Sequence, residues 1–214
     1  MECIFCKRFN REWPKRLSEA TLKWERLDAR DADDWKIESD QTNALIDRAE
    51  SHLESEPDRA AELYREAAQQ GSIIAHRVLG WLYHGGKLGG RDLDSAKEHY
   101  CAAWKEGSHM AGLSLARAYF DADEGDECIE VLEEAIESGV VSARYHYVCY
   151  KLKLDESVRV TDAALHKQLE IAAEAGHPSA LEWNARLKAR GCFGFLKRFS
   201  ALGDFRRLVR MAKV

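Results

Sequence analysis

Small and apolar residues recur along this chain at a spacing that fits pairs of helices. Four glycines, Gly71, Gly107, Gly139 and Gly176, are separated by 36, 32 and 37 residues. An alanine stands four residues before each glycine and another stands four residues after it, while Tyr or Leu stands seven residues before it. The residue eleven before it is Ala, Cys or Leu. Self-similarity at this length predicts an array of helical repeats.

One unit of this repeat contains two helices, and its pattern indicates how they pack. The positions eleven, seven and four residues before the glycine lie on one helical face, which therefore presents a small–large–small stripe. Glycine then ends the helix because it adopts the left-handed conformation without a steric penalty. Small residues in the next helix, Gly80 and Ala116, allow two helix backbones to approach closely. Each pair leaves an apolar face that only a neighbouring pair can cover, so we expect the units to stack into a solenoid.

The same pattern predicts helices over most of the chain. We expect them near residues 15–30, 40–54, 58–70, 73–84, 93–106, 109–120, 125–138, 141–153, 162–175 and 178–190. The first two lack the repeat signature and are expected to form an N-terminal cap. No alternating segment is flanked by hairpin turns, so strands are not predicted. The expected fold class is all-α.

The stretch from Ala75 to Gly107 resembles a Sel-one-like repeat, a relative of the tetratricopeptide repeat. The residues that carry the resemblance are Ala75, Leu79, Gly80, Tyr83, Gly85, Gly86, Asp92, Ala96, Tyr100, Ala102, Ala103 and Gly107. It extends over roughly residues 57–190; the third unit departs at Val148 and Lys151, and the fourth keeps mainly its AAEAGHPSA turn. The resemblance implies a right-handed superhelical solenoid of antiparallel helix pairs. It also implies scaffolding of protein complexes, often in bacterial signalling, envelope or secretion-linked contexts.

Charge separates an acidic body from a basic tail. Residues 188–214 contain eight Lys or Arg and one acid, Asp204, which gives a net charge of +7 against −5 for the whole chain. We therefore divide the chain into a basic N-terminal segment with a cap helix (1–37), the repeat array (38–190) and a basic amphipathic tail (191–214). Three roles are open for the tail: a capping helix over the last repeat, a docking segment for a partner, or an anchor on anionic lipid.

The concave groove of the array is the candidate binding site. By analogy with tetratricopeptide arrays, the first helix of each pair lines this groove. The predicted partner-binding side chains, placed inward by the helical register, are Arg77, Trp81, His84, Met110, Leu113, Arg117, Phe120 and Tyr145. Aromatic and Arg side chains aligned along a groove are typical of protein-binding hot spots. Alternatively, several of them pack against the N-terminal helices or the tail.

Motifs for catalysis or metal binding are weak in this sequence. Cys3 and Cys6 form the only CxxC, and no second pair of ligands follows at the spacing of a zinc site. The stretch GGKLGGRD from Gly85 follows a predicted helix and lacks the Ser or Thr of a phosphate-binding loop. DADEGDE from Asp121 has its glycine at the wrong place for a calcium loop. No His lies in a recognisable motif with Cys, Ser or Asp, so we expect no catalytic residue, metal or cofactor.

Composition narrows the function classes further. An acidic body without a reader motif argues against nucleic-acid binding. The chain contains no apolar run of membrane-spanning length and no secretory signal, so a cytoplasmic location is expected.

The main hypothesis is a non-catalytic adaptor, of which a toxin-neutralising immunity protein is one specific form. A peripheral membrane protein recruited by its tail is the alternative, and an enzyme whose site assembles in space comes third. Nine acids and no base between Asp121 and Glu137 indicate a solvated face or a docking surface for a basic segment.

Overall fold

The chain folds into helices throughout the part that the structure describes. The computed structural model describes residues 4–190, 192 and 197–211. Its helices are α1 (Ile4–Asp28), α2 (Asp31–Ile37), α3 (Asp40–His52), α4 (Pro57–Gln69), α5 (Ile73–His84), α6 (Leu93–Lys105), α7 (His109–Asp121), α8 (Gly125–Glu137), α9 (Val141–Leu154), α10 (Ala163–Ala175), α11 (Pro178–Ala189) and α12 (Lys197–Met211). No strand occurs among the described residues. The predicted all-α fold class is confirmed.

The helix boundaries agree with the sequence pattern except near the N-terminus. From α3 to α11, each helix begins and ends within two residues of its predicted bounds. By contrast, α1 begins at Ile4 and continues through Pro14, a residue type that normally ends or kinks a helix. The short helix α2 was not predicted, because its seven residues carry no repeat signature.

The repeat columns define the buried positions of the helix pairs. All four repeat glycines have positive φ angles, of 86° at Gly71, 94° at Gly107, 88° at Gly139 and 107° at Gly176. These are the left-handed conformations that let each helix end and the chain turn back. The alanines four residues before and four residues after each glycine are fully buried. The spacing read from the sequence therefore identifies residues that pack between helices.

The helices group into two compact units, of which one comprises residues 29–140. It contains α2 to α8, and each helix from α3 to α7 packs against the next one along the chain. Its core is built from Tyr64, Leu79, Leu82, Leu115 and Leu132, each at most 2% exposed. We call this unit the central unit.

The second unit combines residues 1–28 with residues 141–214 and is called the terminal unit. Here α1, which was expected to be an N-terminal cap, packs against α9 and α11. Helix α12 packs against α11, with Leu208 and Ala201 buried. Lys188 Nζ donates a hydrogen bond of 3.0 Å to Asp204 Oδ2, which ties α11 to α12. Cys3 and the residues Phe195 and Leu196 of the tail lie outside the described residues.

Candidate functional site

The helix that follows each repeat glycine is the first helix of its pair, and these first helices carry every predicted partner-binding residue. In the central unit they are α5 and α7, and in the terminal unit they are α9 and α11. Seven of the eight predicted residues lie on α5 and α7. The eighth, Tyr145, lies on α9.

Helix α5 presents one large apolar side chain to solvent. Trp81 is 49% exposed, whereas Leu79 and Leu82 on either side of it are at most 1% exposed. Ser72 caps the start of α5, and its hydroxyl accepts a hydrogen bond of 2.9 Å from the Ala75 amide. This cap satisfies one of the free amides at the start of the helix. The helix is thereby fixed in the register that places Trp81 on the surface.

Two polar residues of α5 are held by acids of the same unit. Arg77 Nη1 donates a hydrogen bond of 2.6 Å to Oδ2 of the buried Asp34. His84 Nε2 lies 2.9 Å from Asp121 Oδ2, and Arg91 also forms an ion pair with Asp121. Burial alone would raise the pKa of Asp121, but the hydrogen bond from His84 and the charge of Arg91 lower it overall. Arg77 and His84 therefore position α5 against its neighbours.

Helix α7 contributes a mixed apolar and basic surface. Met110, Leu113 and Phe120 are half-buried, and Arg117 is exposed. Ser108 caps the start of this helix, and its hydroxyl accepts a hydrogen bond of 3.3 Å from the Ala111 amide. Partial burial restricts the apolar side chains while leaving part of their surface accessible to solvent.

Tyr145 packs inside the terminal unit. Its ring stacks on His177 with centroids 4.5 Å apart, and it meets Trp183 edge-on at 6.3 Å. Burial raises the pKa of the Tyr145 hydroxyl above its ordinary range. The aromatic contacts fix the first helix α9 against α11.

Acidic residues near the N-terminus contact the first helices, and sequence reasoning missed them. In the central unit these are Asp34 and Glu38, and in the terminal unit they are Glu25 and Asp28. Burial would raise the pKa of Glu25, but hydrogen bonds from His146 and His177 outweigh it and bring that pKa to about 2. The acid-rich run DARDADD within 28–34 was visible in the sequence. Nothing in it indicated which helices it would contact.

His76, one member of a histidine pair, lines a cleft of the central unit. The cleft has a volume of about 930 Å³, and His76, Lys97, Cys101 and Tyr119 are among its lining residues. His76 Nδ1 and His99 Nδ1 lie 3.0 Å apart, so one of the two nitrogens must be unprotonated to accept the hydrogen bond. Within the described residues, no three His, Cys, Asp or Glu side chains form a cluster suited to a metal ion. The side chains of Cys3 and Cys6 are outside that description.

Comparison with known proteins identifies the fold. No protein-family model matches the sequence, and no curated protein matches it. A Sel1 repeat protein from Oxalobacter formigenes shares 20% identity over 81% of this chain and 71% of that chain, with a TM-score of 0.61. The protective antigen c5321, present in uropathogenic Escherichia coli strains and displaying an SLR fold, shares 20% identity over 80% of this chain, with a TM-score of 0.57.

This chain spans 41% of the length of c5321. At such identities the similarity establishes the fold, which is that of Sel1 repeat proteins, and confirms the resemblance to Sel-one-like repeats. None of the described helices has both the length and the apolar character that a membrane span requires.

Proposed function

We propose that this chain is a non-catalytic adaptor that binds another protein through α5 and α7 of the central unit. The binding surface consists of Trp81, Met110, Leu113, Arg117 and Phe120 and is called the first-helix surface. The observation that carries the proposal is the 49% exposure of Trp81 on an otherwise well-packed helix. A large aromatic side chain gains much free energy when a partner buries it, and Trp and Arg are enriched at hot spots.

The neighbouring contacts support this role. Arg77 and His84, also predicted to bind a partner, are hydrogen-bonded to Asp34 and Asp121. They hold α5 in place, so the surface is rigid before a partner arrives. A rigid surface loses little conformational entropy on binding, which raises the affinity for a given contact area. Stacked helix pairs commonly form extended binding surfaces, so this fold is consistent with the proposal.

A matched pair of substitutions tests the proposal. The partner is captured with the intact chain, identified, purified and titrated by calorimetry. Trp81→Ala should weaken binding by about 2 kcal/mol or more if Trp81 fills a central pocket. Leu154→Ala removes a side chain of similar exposure, 42%, at the end of α9 in the terminal unit and should leave the affinity unchanged. Equal affinities for Trp81→Ala and the wild type would refute the proposed surface.

The outer face of α12 supports a second candidate function, recruitment to an anionic membrane surface. Leu202 is 58% exposed, and Arg206 and Arg210 are exposed one and two turns further along the same face. Basic residues beside an exposed apolar side chain are typical of interfacial helices. Arg206→Glu with Arg210→Glu should abolish co-sedimentation with vesicles containing phosphatidylserine while preserving helicity. Unchanged co-sedimentation of this variant, or none for the wild type, would exclude this candidate.

A further inference from the structure

Acids are nearly absent from the two helices that carry the first-helix surface, although the central unit is strongly acidic. Residues 29–140 contain 25 Asp or Glu and 11 Lys or Arg. Helix α5 contains no acid, and α7 contains one, Asp121, which is its last residue. Each of the two helices nevertheless carries an arginine, Arg77 on α5 and Arg117 on α7. The first-helix surface is therefore a basic and apolar region within an acidic unit.

Arg117 is the arginine of this surface whose charge no acid of the described chain balances. It is exposed, and within the described residues its side chain forms no ion pair and no hydrogen bond. Asp121 lies one turn further along α7, but its carboxylate is bound by His84 and Arg91. A carboxylate from outside the chain would therefore meet an unbalanced charge and a planar set of N–H donors that suits it.

Arg77 and Arg117 lie near the same buried tyrosine. The Tyr100 ring lies directly over Gly80 of α5, and the Tyr100 hydroxyl is hydrogen-bonded to Ser114 of α7. Burial raises the pKa of that hydroxyl to about 12, and the charges of both arginines oppose the rise. Both guanidinium groups are thus close to one hydroxyl, whereas the buried acid that binds Arg77 balances only one of the two charges.

Apolar side chains flank this cationic position. Leu113 lies one turn before Arg117 and Phe120 lies one turn after it, and both are half-buried. On α5, Trp81 lies one turn after Arg77 and is 49% exposed. A guanidinium group is weakly hydrated and tolerates apolar neighbours better than an ammonium group does. A ligand that matches this surface therefore has an apolar part as well as a carboxylate.

The charge of the central unit limits how acidic the ligand can be. Because its acids outnumber its bases by more than two to one, the unit repels polyanions at long range. A nucleic acid carries closely spaced phosphates and would meet this repulsion along its whole length. A peptide segment with a single carboxylate among apolar residues meets little repulsion and still balances the charge of Arg117.

We propose that the first-helix surface binds a segment of a partner protein in which a side-chain carboxylate lies among apolar residues. Arg117 binds the carboxylate through parallel N–H···O hydrogen bonds, and Trp81 packs on the apolar side chains of the segment. This inference rests on the proposed adaptor function and specifies the chemistry of the partner.

A random peptide library displayed on phage tests this chemistry without knowledge of the partner. Selection is run on the full wild-type chain, and each recovered clone is then tested on Trp81→Ala and on Arg117→Gln. We expect the recovered peptides to be enriched in Asp or Glu among apolar residues, relative to the unselected library, and to bind both variants more weakly. A selection without enrichment in acids, or without any clone that depends on Arg117, overturns the inference.

Paired peptides and receptor variants locate the carboxylate. The most enriched peptide is synthesised with its acid and with the matching amide, and both are titrated by fluorescence anisotropy. On the wild type, the change from acid to amide should weaken binding about tenfold or more, because a hydrogen bond between charged groups is lost. On Arg117→Gln the two peptides should bind about equally, since the guanidinium group is missing. Arg48→Gln, which removes an exposed arginine of α3 in the same unit, should behave as the wild type.

Three results of these titrations would overturn the carboxylate site. The first is equal binding of the acid and amide peptides to the wild type. The second is a difference between the two peptides that persists on a folded Arg117→Gln chain, with folding verified by circular dichroism. The third is displacement of the peptide by poly-glutamate, which would show that any polyanion binds and that apolar side chains are not required.

The selected clones also separate this inference from the proposed function. Clones that depend on Trp81 but bind equally well with an amide in place of the acid would leave the adaptor function standing and refute the carboxylate site. Clones that need their acid and Arg117 but bind Trp81→Ala as tightly as the wild type would support the carboxylate site. They would at the same time refute the role that the proposed function gives to Trp81.

Discussion

Gly80→Ala tests the close helix packing at the centre of the repeat. In an exposed helix, replacing glycine with alanine stabilises the protein by about 1 kcal/mol because alanine has the higher helix propensity. At position 80 the added methyl carbon would lie 2.6 Å from both Cδ1 and Cε1 of the Tyr100 ring. An ordinary van der Waals contact at such a position is 3.4 to 4 Å. The ring or the helix must therefore move by about 1 Å, the order of overlap that makes overpacking costly.

Tyr100 has little room to move. It is 4% exposed, meets the His84 ring edge-on at 6.2 Å, and packs with Ala96, Leu115 and Ala118. Overpacking of a well-packed core costs about 1–3 kcal/mol. After subtraction of the gain in helix propensity, we expect Gly80→Ala to lower the free energy of unfolding by up to about 2 kcal/mol. For a chain of this length, this corresponds to a fall in Tm of up to about 8 °C.

Urea denaturation followed by circular dichroism measures the effect. Gly203 on α12 is the matched control, because a methyl carbon there meets nothing within 4 Å. Gly203→Ala should raise stability by about 0.5–1 kcal/mol. Gly80 and Gly203 belong to different units, so a second control within the central unit is needed. A double-mutant cycle that combines Gly80→Ala with Tyr100→Leu provides it. An increase in stability for Gly80→Ala similar to that of Gly203→Ala, or no coupling with Tyr100→Leu, would refute the close-packing argument.

Three other substitutions test single contacts. Gly112→Ala places a methyl carbon 2.6 Å from the Trp104 ring and should therefore lower Tm. The fall should be smaller than for Gly80→Ala because Trp104 is half-buried and has more room to move. An unchanged Tm together with unchanged Trp fluorescence would contradict this prediction. Burial, with the charges of His76 and Arg65, holds the pKa of His99 at about 4, below its ordinary 6.5. Stability should therefore decline as the pH falls from 6.5 towards 4, and urea titrations of His99→Gln should show a weaker decline. The pKa of Glu25 is about 2 instead of the ordinary 4.5, so wild-type stability should also decline between pH 4.5 and 2. Glu25→Gln should lack this second decline and should unfold more easily at pH 7 by about 1–3 kcal/mol; parallel pH profiles for the variant and the wild type would argue against the role of the carboxylate.

The sequence alone determined the repeat and most helix boundaries. Each repeat position requires an apolar residue of a certain size at a fixed distance from a glycine. These two requirements, residue size and distance, involve only one helix and the turn that follows it. That is why the sequence pattern assigns Ala75, Leu79 and Gly80 to packing positions, and these three residues are buried. The same local rules predicted Trp81 on a different face from these residues, and it is the exposed one.

The tertiary structure alone decided what the N-terminal segment does. Asp34 binds Ser108, 74 residues away, and Asp28 binds Ser142, 114 residues away. Such pairings depend on where α1 and α2 lie in the folded chain, and no periodicity relates these acids to the repeat. A carboxylate in the sequence is equally suited to solvent, to an ion pair or to a helix start. Only the packing of the chain brings a specific acid to a specific amide and hydroxyl, since this choice depends on contacts between residues far apart in sequence.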